Sequence, residues 1–212
     1  MNVFDRSYKR YDAWYDRHAY AYHSEIKALE KMLPASGRGL EVGVGTGRFA
    51  AALNISVGID PSYPMLEIAR QRGVNARWGY GEDLPFLAAS FDYAALIISF
   101  CFLRDPLKVL MEIRRVLRDN GSVVIAIIDK DSSLGRLYRR KKSPFYRVAR
   151  FFSVAEVQEL MQQAGFRHFE YCQTLFDQPG RLSAVQSPRK GYGQGGFVVI
   201  KAKNILESKR RN

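Results

Sequence analysis

The sequence predicts an α/β fold, doubly wound around a mostly parallel sheet, and three observations lead there. Short apolar segments alternate with helical patterns along most of the 212 residues, the arrangement of a parallel sheet covered by helices on both faces. One of those segments, Tyr93 to Ser99, is continuously apolar between polar flanks, as a strand buried on both faces is. A glycine-rich turn, Gly43 to Gly47, joins the first strand to a short helix.

The elements follow in order. Phe4 to Leu33 reads as helical and is crowded with aromatics, and Pro34 to Gly37 stops it. Strand one covers Gly39 to Val42; after the glycine turn a short helix covers Arg48 to Leu53. Strand two, Ser56 to Ile59, ends at Asp60, and a helix from Pro64 to Gln71 is closed by Gly73. Asn75 to Trp78 is a weak third strand, followed by a polar loop from Gly81 to Phe86 and then the fourth strand. Asp105-Pro106 is an N-cap followed by proline at the first helical position, and Leu107, Leu110, Ile113 and Leu117 mark one helical face. Asn120-Gly121 is expected to end that helix and turn the chain into strand five, Ser122 to Ile128. Asp131 to Arg150 is irregular and basic. Ser153 with Glu156 forms a capping box for a helix stopped by Gly165. Two strands, Arg167 to Phe176 and Gly196 to Ala202, complete the pattern, and the charged tail Glu207 to Asn212 is expected to fray. With neither a repeat nor a second core in view, residues 1–212 are expected to form one domain. Residues 1–34 would be a helical cap and residues 131–150 a basic insert.

Composition narrows the class. A hydrophobic content of 47% with 25% charged residues suits a globular chain. No apolar run approaches the ~20 residues needed to cross a bilayer, and the first residues lack the apolar stretch of a signal peptide. Two cysteines, Cys101 and Cys172, provide no disulfide framework. A cytoplasmic protein is therefore expected. The excess of 33 Lys and Arg over 21 Asp and Glu leaves +12, which suits either a solvated basic surface or an anionic partner such as RNA.

The glycine turn carries the chemistry. Gly43, Gly45 and Gly47 form G-x-G-x-G, and Arg48 stands where a dinucleotide fold wants its last glycine. Glu41, two residues before the first glycine, would repel a pyrophosphate yet can pair with an ammonium group. Asp60, at the tip of strand two, is placed to accept hydrogen bonds from ribose hydroxyls; capping of the next helix is its other reading. A ligand with an amino acid part, a ribose and no phosphate fits these charges better than NAD does.

The segments L-E-V-G-V-G-T-G-R-F, G-I-D-P-S-Y-P-M-L, G-E-D-L-P-F-L-A-A-S-F-D and L-M-E-I-R-R-V-L-R-D-N-G resemble, in order and spacing, the class I S-adenosylmethionine-dependent methyltransferases of the "type 11" kind. The likeness runs from about Gly39 to Ile128. It implies a Rossmann-like sheet of seven strands with one antiparallel edge strand, and S-adenosyl-L-methionine as methyl donor. It also implies roles: Glu41, Gly43, Gly45 and Gly47 at the methionine part, Asp60 at the ribose, Pro61 and Met65 beside the adenine. Gly81, Glu82 and Asp83 would read the adenine edge, and Ser99 would lie near the sulfonium. Tyr80 departs from the family, which commonly has an acidic residue there, and could stack on adenine instead.

The acceptor is less legible. Methyl transfer from a sulfonium is an in-line displacement that needs alignment more than a catalytic triad, and a base only where the acceptor is protonated. Ser99-Phe100-Cys101-Phe102 replaces the N/D-P-P-Y/F of many amino-methylating enzymes, and Cys101 between two phenylalanines reads as a small buried hydrophobe. Tyr11, Trp14 and Tyr15 are expected to cover the cofactor and face an acceptor, with Cys101 and Arg104 nearby, while His18 and His23 read as structural. The 131–150 insert is expected to form a lid whose Arg139 and Arg140 meet an acidic group; a plain basic helix is the competing reading. A small-molecule acceptor leads, with an RNA methyltransferase and a silent cofactor-binding module as alternatives. No metal set is read, and oligomeric state has no signal.

Overall fold

In the computed structural model, residues 3–205 are described; the charged tail from Glu207 onward lies outside them. The strands are β1 (Gly39–Val42), β2 (Val57–Asp60), β3 (Asn75–Trp78), β4 (Phe91–Ile97), β5 (Leu117–Ile128), β6 (Phe166–Thr174), β7 (Arg189–Lys190) and β8 (Phe197–Asn204). They form one sheet in the order β3-β2-β1-β4-β5-β8-β6-β7. The first five are mutually parallel. The fold class is the expected one, with two differences of detail. The two-residue β7 makes an eighth, antiparallel edge strand, and the antiparallel β8 is inserted between β5 and β6 rather than closing the sheet.

The helices are α1 (Val3–Arg17), α2 (Ala19–Met32), α3 (Arg48–Ala52), α4 (Tyr63–Gln71), α5 (Pro106–Val116), α6 (Ser133–Arg140), α7 (Pro144–Val148) and α8 (Val154–Gln163). Strand residues alternate between two cores, because successive side chains leave opposite faces of the sheet. Leu40, Val42, Val123, Ile125 and Ile127 pack with Val109, Leu110 and Ile113 of α5 and Val157 and Met161 of α8. Tyr93, Ala95, Ile97, Val124 and Ala126 pack on the other side with Leu29 of α2, Phe49 of α3 and Leu66 of α4.

Capping chemistry works as read: Asp105 accepts from the Lys108 N–H at 3.0 Å, and Ser153 and Glu156 satisfy each other's backbone N–H groups. Each such cap stabilises its helix by about 1 kcal/mol. Three expectations need correction. The first helical segment is two helices, parted at His18, whose ring stacks on Trp14 while its Nδ1 donates to the Trp14 carbonyl at 2.8 Å. The helix after Pro106 ends at Val116, not at Asn120-Gly121. Leu117 already pairs with Phe91, and Asn120, at φ +59°, lies in a bulge that takes up the register shift before Ser122 meets Tyr93. The 131–150 segment is ordered as α6 and α7, with Ser132 accepting from the Gly135 N–H at 2.9 Å as the cap of α6.

Candidate functional site

Ligands in open α/β sheets bind beyond the carboxyl ends of the strands, where strand order reverses; here the reversal falls between β1 and β4. Two cavities open there. Residues at the ends of β1, β2 and β4 line one of about 360 Å³. The second, about 330 Å³, lies over the ends of β4 and β5 beneath α1, α6 and α7. Tyr11, Ile98 and Phe102 belong to the lining of both, so the cavities meet at a common wall. Ile98 has φ +55°, strained for a β-branched residue and of the kind that collects at functional sites.

The glycine turn shapes the first cavity. Gly43 has φ +77°, and a Cβ there would stand 2.5 Å from Ser99 Cβ, so the turn needs glycine on both counts. The Gly45 N–H donates to Asp60 Oδ2 at 2.9 Å, and the Ser62 N–H donates to Oδ1 at 2.8 Å. Asp60 thus ties the turn to β2 and holds the N–H of Ser62, the N-cap residue of α4, while still lining the cavity. Burial pushes its carboxyl up to about 6 against these two donors. Pro61, Met65, Gly81 and Glu82 also line this cavity. Glu82 accepts from the backbone N–H groups of Arg104 and Asp105, which ties the loop after β3 to the start of α5. Tyr80 is on the wall too, edge-on to Trp78 and under the Arg104 guanidinium.

Several residues of the expected set lie elsewhere. Glu41 is buried behind the turn, outside the cavity lining, because it leaves the sheet on the face opposite Leu40 and Val42. The Ala50 N–H donates to its carboxylate, while Oε2 is buried without a partner; burial and the nearby Asp60 push its carboxyl well up. Gly47 packs against Ala69 of α4 and sets the helix spacing. Asp83 faces solvent, since the loop turns outward after Glu82. Ser99 lines the cavity, and its hydroxyl donates to the Val42 carbonyl at 2.7 Å, bracing the strand ends. Arg104 belongs to this first cavity and not to the second.

α1 closes over the turn through charges. Asp12 accepts from Thr46 Oγ1 at 2.7 Å, from Arg48 Nε and Nη2, and from both Arg72 Nη atoms. Arg48 also pairs with Asp16 at 2.8 Å, and Arg72 Nη1 donates to the Thr46 carbonyl. The residue that breaks the dinucleotide pattern therefore anchors the helix carrying Tyr11 and Tyr15.

Aromatic rings dominate the second cavity: Tyr11, Trp14 and Tyr15 from α1, Phe100 and Phe102 after β4, Tyr138 from α6, Phe145 and Tyr146 from α7, then Phe151 and Phe152. Tyr11 and Tyr15 share a 2.9 Å hydroxyl hydrogen bond. Tyr138 and Tyr146 stack at 4.7 Å. Cys101 is on the wall, its thiol pushed up to about 12 by burial, which suits a small packing residue and not a nucleophile. The 131–150 segment covers this cavity, yet with Tyr138, Lys141, Ser143, Phe145 and Tyr146. Arg139 and Arg140 are exposed and outside the lining, because α6 buries Leu134 and Tyr138 and turns them away. His18 is on the wall as well as stacked on Trp14.

Sequence reasoning overlooked Glu25. It lies on α2, 1% exposed, on the wall of the aromatic cavity, and neither carboxyl oxygen has a hydrogen-bond partner. A signal was present: Ala21, Glu25, Ala28, Leu29 and Met32 fall on one helical face, so a carboxyl occupies an otherwise apolar stripe.

A glycine turn between β1 and α3, a carboxylate at the tip of β2 and a polar loop after β3 around one cavity define an adenosyl-binding α/β enzyme. The comparisons specify it. Residues 40–125 match the family model described as a methyltransferase domain. An uncharacterised protein of Methanocaldococcus jannaschii is 44% identical over 97% of this chain and 100% of its own length. A crystal structure from Thermotoga maritima, an S-adenosylmethionine-dependent methyltransferase and possible histamine N-methyltransferase, is 45% identical. Its TM-score is 0.93, with 95% of this chain and 98% of that chain covered. An O-methyltransferase of Pyrenophora dematioidea is 29% identical over 86% of this chain and 73% of its own length. The chain belongs to the class I S-adenosylmethionine-dependent methyltransferases, and its cofactor is S-adenosyl-L-methionine.

Proposed function

We propose that this enzyme methylates a small molecule held in the aromatic cavity, with the donor in the cavity beside the glycine turn. The observation that carries this reading is the shared wall: Tyr11, Ile98 and Phe102 line both cavities, so an acceptor in one meets a donor in the other. Gly43 and Gly45 would cradle the methionine part from the backbone, and Asp60 would take the ribose on the free lone pairs of its two oxygens. Pro61, Met65, Tyr80 and Gly81 would enclose the adenine, with Glu82 bracing the loop and Asp83 remaining in solvent. When bound, S-adenosylmethionine supplies an already activated methyl group. The protein's share is then to align the acceptor and keep water out, and the rings of Tyr11, Tyr15, Phe102 and Phe145 serve both.

Residues 1–34 act in this reading as a cap and residues 131–150 as a lid. A cavity near 330 Å³ is at the lower end of small-ligand sites and large enough for a metabolite. The possible histamine N-methyltransferase of Thermotoga maritima supports a small acceptor. The test uses purified protein and S-adenosylmethionine labelled in the methyl group, offered cytosolic small molecules and total RNA in parallel. Label in the small-molecule fraction is expected. Label only in RNA, with the salt sensitivity that +12 would impose, would overturn the reading in favour of the RNA alternative. Binding of S-adenosylhomocysteine with no transfer to either would favour a silent module.

A further inference from the structure

We propose that the acceptor is a small amine, protonated at neutral pH and carrying an apolar or aromatic body, and that Glu25 is its counter-ion. The proposal rests on the small-molecule reading above and names the chemical class of its substrate. Its basis is an arrangement the fold alone does not explain. Glu25 is 1% exposed, both its oxygens lack partners, and the other buried residues on this cavity wall, Tyr15, Phe100, Ile127, Tyr138 and Phe152, are aromatic or aliphatic. Buried polar groups are almost always hydrogen-bonded, and a carboxyl left without a donor is among the costlier arrangements a core can hold. At this position on α2 a leucine would continue the apolar stripe. A carboxyl is useful there if something enters the cavity to meet it.

The surroundings select a cation. The rings of Tyr15, Tyr138 and Tyr146 lie close enough for the Glu25 charge to raise their hydroxyl pKa values, and ring faces attract ammonium groups. The basic residues of this cavity, Arg10, Arg17 and Lys141, are exposed at its mouth. There water and salt screen them, whereas Glu25 acts in a low-dielectric interior. An anionic acceptor would meet only screened attraction at the mouth and could form no charge pair with Glu25 at depth. Burial pushes the empty carboxyl well above its usual range; an arriving ammonium favours the ionised form. For transfer the ammonium proton passes to the Glu25 carboxylate, which frees the nitrogen lone pair to attack the methyl carbon as its bond to sulfur breaks and S-adenosylhomocysteine leaves.

The test separates charge recognition from turnover. Calorimetry on the protein loaded with S-adenosylhomocysteine compares phenethyltrimethylammonium, a permanent cation, with its neutral tert-butyl isostere. Tighter binding of the cation by about tenfold or more is expected, and Glu25→Gln should remove most of that difference while leaving S-adenosylhomocysteine affinity intact. In turnover, phenethylamine and histamine should outperform phenethyl alcohol, and Glu25→Gln should raise the amine KM by about 30-fold or more. The wild-type comparison stands even if the variant folds poorly. Equal binding of cation and isostere, or a cation preference undiminished in Glu25→Gln, would overturn the assignment. Methylation of neutral hydroxyl acceptors but not of amines would also overturn it and leave the small-molecule reading standing. Transfer into RNA alone would overturn both.

Discussion

Replacing Asp12 with asparagine should loosen α1 from the glycine turn and weaken cofactor binding together. Asp12 accepts five hydrogen bonds, four of them from the guanidinium groups of Arg48 and Arg72. Each charge-assisted bond contributes about 1.5–3 kcal/mol net, but bonds sharing two donors do not add. Removing one partner of a fully buried pair costs about 3–5 kcal/mol. Side-chain exposures of 17% for Asp12, 15% for Arg48 and 27% for Arg72 place this network near the buried limit. Asp16 still serves Arg48, and the Thr46 carbonyl still serves Arg72, so a loss of about 2–3 kcal/mol is expected. For a chain of this length that lowers Tm by about 4–10 °C. Because α1 carries Tyr11 and Phe4 to the cavity beside the glycine turn, the proposed donor site, affinity for S-adenosylhomocysteine should fall by about tenfold, a free-energy change of about 1.4 kcal/mol. Scanning calorimetry and isothermal titration report the two effects. The network holds the Asp12 carboxyl well below its ordinary 3.8. Its contribution is therefore present above that value and lost as pH falls through the depressed folded value; the asparagine variant should lack that part of the acid limb. An unchanged Tm together with unchanged affinity would refute the clamp.

Gly43→Ala should cost about 2–4 kcal/mol, from the left-handed backbone and the collision with Ser99, and should abolish S-adenosylhomocysteine binding; a normal titration would contradict the turn's role. The Asp60 carboxyl, raised to about 6, should make cofactor affinity rise with pH to a plateau above 6, because ribose hydroxyls donate best to the ionised form. The sign for folding of the free protein is opposite: the raised pKa contributes stability below 3.8 that is lost as pH rises through about 6. Asp60→Asn should flatten both profiles, and a pH-independent wild-type affinity would argue against the assignment. Arg139→Glu with Arg140→Glu should leave small-acceptor kinetics unchanged, since both face solvent; a raised acceptor KM in steady-state assays would restore them to the lid.

Much of the fold was legible because its signals are local. The apolar run from Tyr93, the Asp105-Pro106 start, the Ser153–Glu156 box and the Gly43 turn each encode an element within a few residues. Less local features escaped. The division at His18 depends on a ring stacking on Trp14, and the early end of α5 depends on Leu117 finding Phe91 across the sheet. The insertion of β8 between β5 and β6 is a choice among pairings that no single strand's pattern contains.

The site divides the same way. The methyl donor was legible in the sequence, because the glycine turn and Asp60 lie on consecutive elements of one βαβ unit and belong to a set of linked motifs that resembles one family. The sequence could not say that Glu41 hides behind the turn, that Arg48 is held by Asp12, or that Arg139 and Arg140 look away from the cavity. Nor could it show a carboxyl of α2 among rings from α1, α6 and α7. Those facts depend on which faces meet after segments far apart in the chain are packed together. Proximity of that kind is set by the whole core, so the aromatic cavity and Glu25 on its wall were decided by the tertiary structure alone.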